Sequence, residues 1–483
     1  MFFVSTRDSK ILCNFKDAFL KIIPKQQCGV FVPSFISTMN DDEIILISKQ
    51  SYKDILIRIL SMIFEKELDL NIVKYLVEDA FKNFNQGFGG NKLHINTNYN
   101  DIITSQTLEK NVKIMNLTHG PTGCCKDYGY CLSASIINYL AEHENRKRAI
   151  IDISNDNSNI STAWAVKDKK FLKSFILLNK SQNNVNKILL SLAIKNSSNI
   201  DCVAVDSDYN FLNKICYDVY NNTSLCEMLD IAFINENNLI CVFAYLPIFF
   251  KAYAECNNKP FCVSIPTNNM TIGISAFFAK KLGVPIRKII LSTENNDFLF
   301  KIQENKNAID SKITDSCMMF YSGIPVNFER LLFYLYGANQ SSVKRTMQEL
   351  ESGRNYKMSD SLVSKLKKIF YISHCDNQFT IRDTIHSLIK EKELYVEQHL
   401  ALAKIGLNNA INAIPDEIEN NPIIILNTLD YRRNIDFVNT SIGYNLEHVE
   451  YPWNNDEKPC QITEIKQDSI GILHYIVDSF EKK

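Results

Sequence analysis

Hydrophobic positions along this chain follow two spacings, and the spacing changes with position. Near the N-terminus they recur every three or four residues. Asp54 to Ile63 and Asn71 to Asn85 both carry an apolar stripe, the second continued from Leu70 through Val73, Leu76, Val77, Ala80 and Phe81. That period puts the apolar side chains on one helix face. Beyond residue 126 short apolar runs alternate with helix-period stretches. Arg148 to Ser154, Ser174 to Leu178, Ile200 to Val205, Pro260 to Ile265, Pro285 to Leu291 and Pro422 to Leu426 read as buried strands. Thr162 to Val166, Val185 to Ile194 and Ile274 to Leu282 read as helices, the last closing at Gly283. The alternation predicts an α/β fold with open, mostly parallel sheet and helices on both faces. Leu239 to Phe250 fits a buried core helix ending at Lys251, and Asn339 to Ala413 turns helical and charged, as an added helical section would. Gln86 to Asn91 is a glycine-rich turn that reads as a linker. The chain divides on this reading into an N-terminal unit (1–100), an α/β core (101–338), the helical section (339–413) and a C-terminal return to the core (414–483).

Composition narrows the classes. With 483 residues, 46% of them apolar, the chain has material for a large core. A net charge of −1 without a basic block argues against nucleic acid as a partner. No run reaches the roughly 18 apolar residues needed to span a membrane. The N-terminus lacks the charged-then-apolar layout of a secretory signal, so a cytoplasmic protein is expected. The 14 cysteines include no Cys-x-x-Cys pair and read as reduced thiols; the 8 histidines show no paired ligand spacing, so no metal is expected.

The candidate chemistry starts at His119-Gly120-Pro121-Thr122-Gly123-Cys124-Cys125-Lys126-Asp127-Tyr128-Gly129. It offers one lysine among small, turn-forming and apolar residues, just before the apolar stretch Tyr130 to Leu140. Burial disfavours the ammonium, and a lysine held there can form a Schiff base with a carbonyl or with pyridoxal phosphate. Active sites of open α/β sheets lie at the carboxyl ends of strands, which singles out the loops after Ile153 and Ile265. The first, Ser154 to Asn159, has hydroxyls and amides able to take a carboxylate or phosphate, or to cap a helix. The second, Pro266-Thr267-Asn268-Asn269-Met270-Thr271, opens a helix whose free N–H groups and positive end suit a phosphate. Thr428 ends up in the loop after a third strand.

These segments resemble those of threonine synthases. The lysine run is similar to the family's His-Gly-Pro-Thr-x-x-Phe-Lys-Asp-Phe-Gly. Ser5-Thr6-Arg7 corresponds to its N-terminal Ser-Thr-Arg. Val326-Asn327-Phe328-Glu329-Arg330-Leu331-Leu332 corresponds to Ser-Asn-Phe-Glu-Arg-Leu-Leu, a marker of the longer subgroup. Asn235 and Asn238 fit Asn-Ser-Ile-Asn-Trp-Ala-Arg, with Cys241 at the arginine. His399 fits Asp-Pro-His-Thr-Ala. Thr267 to Thr271 stand against Ser-Gly-Asn-Phe-Gly, so that Asn268 and Thr271 replace glycines; Asn268 tolerates the positive φ of such a turn, and β-branched Thr271 does not. Ser154 and Asp156 are kept from Ser-Gly-Asp-Thr-Gly. The resemblance runs to about residue 440. It implies a fold-type II pyridoxal phosphate enzyme, tryptophan synthase β-like, with a two-lobed core. It implies pyridoxal 5'-phosphate on Lys126, with Thr267, Asn268, Asn269, Met270 and Thr271 at the phosphate and Thr428 at the ring nitrogen. Ser154, Asp156, Asn157, Asn235 and Asn238 would meet the substrate, O-phosphohomoserine, an amino-acid phosphate converted with water to threonine and phosphate. A monomer or homodimer is expected. A pyridoxal enzyme with another amino-acid substrate, and a non-catalytic relative that keeps the fold, remain open.

Overall fold

The computed structural model describes residues 1–483 except 21–28, 66, 85–101, 154–157, 180–183, 196, 208, 268, 295, 306–322, 353–355, 448, 452, 454–461, 466–467 and 482–483. The linker proposed at Gln86 to Asn91 lies outside the described residues. Three strands, β1 (Phe3–Ser5), β2 (Leu12–Cys13) and β3 (Phe31–Pro33), form a small antiparallel sheet in the order β2-β1-β3. The strands β4 (Thr104–Glu109), β5 (Val112–Asn116), β6 (Arg148–Ile153), β7 (Leu172–Asn179), β8 (Ile200–Val205), β9 (Phe261–Pro266), β10 (Ile286–Thr293), β11 (Phe370–His374), β12 (Ile423–Asn427) and β13 (Thr463–Ile465) build two further sheets. One runs β11-β10-β9-β12-β5-β4 and is parallel except for the β4–β5 pair; the other, β13-β8-β7-β6, is parallel throughout. The expected α/β architecture is therefore present, divided between two parallel sheets.

The helices begin and end where local chemistry permits. Ser51 caps Tyr52–Phe64 by accepting from the Asp54 N–H, and Ile55, Leu56, Ile59, Leu60 and Ile63 then bury one face. Leu70–Phe81 buries Val73, Leu76, Val77, Ala80 and Phe81, the stripe expected from spacing. The larger of these side chains, Val, Leu, Ile and Phe, each contribute about 1.5–3 kcal/mol on full burial. These helices share their core with the rest of the chain: Leu56, Leu60 and Phe19 belong to the same buried cluster as Tyr128, Leu132 and Phe249.

Two expectations need correction. The apolar stretch after Asn238 is two helices, Leu239–Ala244 and Leu246–Glu255, and the second passes Lys251. Pro247 supplies no N–H, so it sits in the first turn of a new helix. Residues 339–413 are also more than an appended helical section. β11 lies within them as an edge strand of the larger sheet, and Gln398–Ala413 buries Leu400, Ala403 and Leu407. A five-residue strand flanked by charged helices carries too little period to be separated from them. Among the described residues no helix is long and apolar enough to cross a membrane.

Candidate active site

Three adjacent parallel strands, β5, β12 and β9, release their loops at the carboxyl end of the larger sheet. β5 leads to the lysine run, β12 to Thr428 and β9 to Thr267. This is the end at which open α/β sheets bind ligands. The loops are laced together by main-chain bonds. The Leu117 N–H donates to Asn427 O at 2.9 Å, the Cys125 N–H to Thr428 O at 2.8 Å and the Asp430 N–H to Gly123 O at 2.8 Å.

Lys126 is the first residue of the buried helix Lys126–His143, and its side chain is 12% exposed. The turn before it folds over Asp127. That carboxylate accepts from the Thr122 N–H at 2.8 Å and the Thr122 hydroxyl at 2.7 Å, and Thr122 Oγ1 meets Ser161 Oγ at 3.1 Å. Burial raises the Asp127 pKa, while these hydroxyls and the nearby Arg433 hold it back. A Cβ at Gly120 would overlap the Asp127 carboxylate, so only glycine lets the turn close this tightly. Arg433 donates to Thr122 O and to Asn186 Oδ1, holding the same turn from its outer side. The Cys125 thiol is pushed well up by its hydrogen bond with Cys124 and by burial, so it stays protonated beside the lysine.

Lys126 Nζ lies 3.2 Å from Glu236 Oε2. The same oxygen accepts from Asn269 Nδ2, and the Thr271 hydroxyl has two acceptors for its one hydrogen, Asn269 Oδ1 at 2.9 Å and the Glu236 main-chain oxygen at 3.2 Å. Glu236 thus bridges the lysine and the turn after β9. That turn is self-bonded: the Met270 N–H donates to Thr267 Oγ1 at 2.9 Å, and the Thr271 N–H to Asn269 Oδ1 at 3.1 Å. Asn327 Nδ2 reaches Thr271 Oγ1 at 3.1 Å, and Arg330 Nη1 in turn holds Asn327 Oδ1 at 2.5 Å. Arg330 also donates to Asn237 O at 2.7 Å. Full burial pulls its pKa down to about 10, against the pull of Glu329, which leaves it charged at neutral pH. On the opposite side Thr428 Oγ1 meets His399 Nδ1 at 3.1 Å, and Glu397 fixes the start of that histidine's helix by accepting from the His399 and Leu400 N–H groups.

Lys126, Thr267, Asn269, Met270, Thr271 and Thr428 are accordingly brought together. Ser154, Asp156, Asn157 and Asn268 lie outside the described residues. Met270 adopts a positive φ of 68°, at a cost of about 1 kcal/mol that its complete burial offsets. Thr271 meets no such strain, because it is the first residue of the helix Thr271–Leu282. Asn235 and Asn238, the expected substrate contacts, both make hydrogen bonds within the protein. Asn238 is fully buried; its amide donates to Phe19 O and Phe233 O, and its Oδ1 caps Leu239–Ala244. Asn235 Oδ1 accepts from the Asn237 N–H at 3.0 Å. Both shape the loop that presents Glu236. Cys241, in place of the family's arginine, is buried against Gly129, with burial lifting its thiol to about 12.

Glu236 is the site residue that sequence reasoning missed. Its signal was a carboxylate between two recognised asparagines, where the family has serine. Asn327 and His399 were read as family markers only; their hydrogen bonds to Thr271 and Thr428 depend on long-range contacts. Among the described residues no metal-ligating cluster occurs.

Comparison with known proteins bears on the family resemblance and the fold. The family model described as threonine synthase N terminus matches residues 2–81. The threonine synthase of Methylobacillus glycogenes is 20% identical over 487 residues, covering 99% of this chain and 100% of that one. The threonine synthase of Saccharomyces cerevisiae is 21% identical and covers 86% and 84% respectively. Among solved structures, the PLP-bound threonine synthase of Brucella melitensis superposes with a TM-score of 0.86 at 19% identity, covering 100% of both chains. The yeast enzyme also gives 0.86, at 18% identity, covering 100% of this chain and 99% of the other. The resemblance read from the motifs is thus borne out along the chain, and the fold is that of these fold-type II proteins.

Proposed function

We propose that this chain is a pyridoxal 5'-phosphate-dependent lyase of the threonine synthase kind, acting on O-phosphohomoserine and water to yield threonine and phosphate. The observation that carries the reading is the convergence on Lys126 of the loops after β5, β12 and β9. The donor set suits a phosphorylated aldehyde with a pyridine ring. Lys126 offers the amine for the aldehyde carbon, and the turn Thr267 to Thr271 offers hydroxyls at a helix start for the phosphate. Thr428 offers a hydroxyl for the ring nitrogen. The cofactor, when bound, supplies the electron sink that stabilises charge at the substrate's Cα.

The chain's own residues supply orientation and proton transfer. Tyr245 and Thr428 hold the Cys125 peptide, through its O at 3.1 Å and its N–H at 2.8 Å, and so fix the residue from which Lys126 projects. With a proton on His399 Nδ1, Thr428 Oγ1 accepts from the imidazole and its own hydrogen is directed elsewhere, toward the ring nitrogen. A hydroxyl partner leaves that nitrogen largely unprotonated. Lys126, sheltered from water, takes the proton at the substrate's Cα and returns protons as phosphate leaves from Cγ. The second reading, a relative that is impaired or takes another amino acid, is favoured by one observation: Glu236 stands against the lysine where the family has serine.

Two measurements separate these. Purified protein given pyridoxal 5'-phosphate should develop an absorbance band at about 410–430 nm from the lysine-bound chromophore, and Lys126→Ala should abolish it. Phosphate release from O-phosphohomoserine by the loaded protein then supports the substrate assignment. A band without phosphate release moves the reading to another substrate, and a band that survives Lys126→Ala sinks it.

A further inference from the structure

We infer that Glu236 is a built-in counter-anion that competes with the cofactor's phosphate for Asn269 and holds Lys126 as its ammonium until the cofactor displaces it. The inference rests on the proposed function and adds a gate to it. One carboxylate oxygen takes both Lys126 Nζ at 3.2 Å and Asn269 Nδ2, while the residue's own carbonyl takes Thr271 Oγ1 at 3.2 Å. These are the groups of the turn that would face a phosphate. The carboxylate is therefore seated at the anion end of the site, with a side-chain exposure of 17%. Serine at this position would be neutral and too short to bridge the lysine and the asparagine.

Two consequences follow for loading. A phosphate dianion entering the turn meets a like charge inside a partly desolvated pocket, where repulsion is stronger than in water. Lys126 must also lose its ammonium proton to solvent before its amine forms a bond to the aldehyde carbon, with the carbonyl oxygen leaving as water. Glu236 opposes that loss by favouring the charged form. The segment that carries it is able to hold it in place. Asn238 anchors one end through Phe19 O and Phe233 O, and Arg330 holds the Asn237 carbonyl.

The test is titration of the full-length chain with pyridoxal 5'-phosphate and, separately, with pyridoxal, which lacks the phosphate, following the band at about 410–430 nm. Glu236→Gln keeps the shape and removes the charge; Glu236→Ser installs the family's residue and guards against a packing fault peculiar to Gln. Both variants should bind pyridoxal 5'-phosphate at least tenfold more tightly than the wild type, with pyridoxal gaining threefold or less. Unchanged or weaker binding of pyridoxal 5'-phosphate overturns the gate while leaving the proposed function standing; an equal gain for both ligands overturns the competition for Asn269, because relief of the ammonium is common to both. If neither wild type nor variants give the band, the proposed function falls, and the gate with it.

Discussion

At the scale of single residues, the charged groups just outside the site show how much the lysine helix depends on paired burial. Asp79 accepts from Lys169 and from Ser135 Oγ at 2.8 Å, and Ser135 lies on the helix that starts at Lys126. Burial alone would raise the Asp79 carboxyl; the Lys169 ammonium and the hydrogen bonds from Lys169, Ser135 and Lys82 outweigh it and pull the pKa below its ordinary value. A carboxyl depressed in the folded state stabilises the protein fully above its unfolded pKa, near 4, and less as pH falls through the folded value. Asp79→Asn should therefore cost about 3 kcal/mol at neutral pH in urea unfolding, because it strands a buried ammonium. The cost should shrink below pH 4, and a pH-independent difference would show that the pair is not the source. Lys126 differs from Lys169 in kind: its carboxylate partner comes from a loop at the sheet end, where a ligand can take the carboxylate's place.

At the scale of elements, the packing of two helices sets where Glu236 is presented. Leu239–Ala244 lies against Lys126–His143 through Cys241 and Gly129. A Cβ at Gly129 would stand 2.7 Å from Cys241 Sγ and 3.0 Å from its Cα, so the helices can approach only because residue 129 has no side chain. Gly129→Ala is expected to destabilise by about 1–3 kcal/mol, the range for overpacking a filled core. It should also weaken cofactor binding, since the displaced helix carries the loop from Asn235 to Asn238. A variant of wild-type stability and affinity would mean that the contact yields more easily than its backbone component allows. Besides Lys126, Arg330 lies next to the loop; it is buried and spends donors on Phe31 O, Asn327 Oδ1 and Asn237 O.

At the scale of the whole molecule, two motifs far apart in sequence close the N-terminal sheet onto the core. Arg7 donates from Nε and Nη2 to Glu329, each at 2.8 Å; Thr6 Oγ1 also bonds Glu329, and Arg7 reaches Glu351. Glu329 and Asn327 share one helix, Val326–Leu335, so the staple that docks the N-terminus also steadies the turn at Thr271. Removing one partner of a buried pair costs about 3–5 kcal/mol, since the other charge is left uncompensated. Arg7→Met alone should show that loss in urea unfolding. The double variant Arg7→Met/Glu329→Met should recover at least about 1 kcal/mol of the summed single effects. Strict additivity would mean that the two residues do not act as a pair.

The sequence by itself determined what depends on near neighbours. The alternation of strand and helix, the helix stripes of Tyr52–Phe64 and Leu70–Phe81, the lysine turn closed by Gly120, and the loops at Thr267 and Thr428 were all legible, because period, turn chemistry and motif spacing are local. What joins those pieces is set by contacts across tens to hundreds of residues, and only the tertiary structure decided it. The alignment of β5, β12 and β9 put Lys126, Thr428 and Thr267 at the carboxyl end of one sheet. The partner of Thr428 proved to be His399, and the asparagines at 235 and 238 proved to shape a loop. The weight of position 236 was hidden for the same reason. A glutamate between two asparagines is an ordinary loop residue until the fold sets it against Lys126 and Asn269, where a partly buried carboxylate has to be paired and a phosphate would have to displace it.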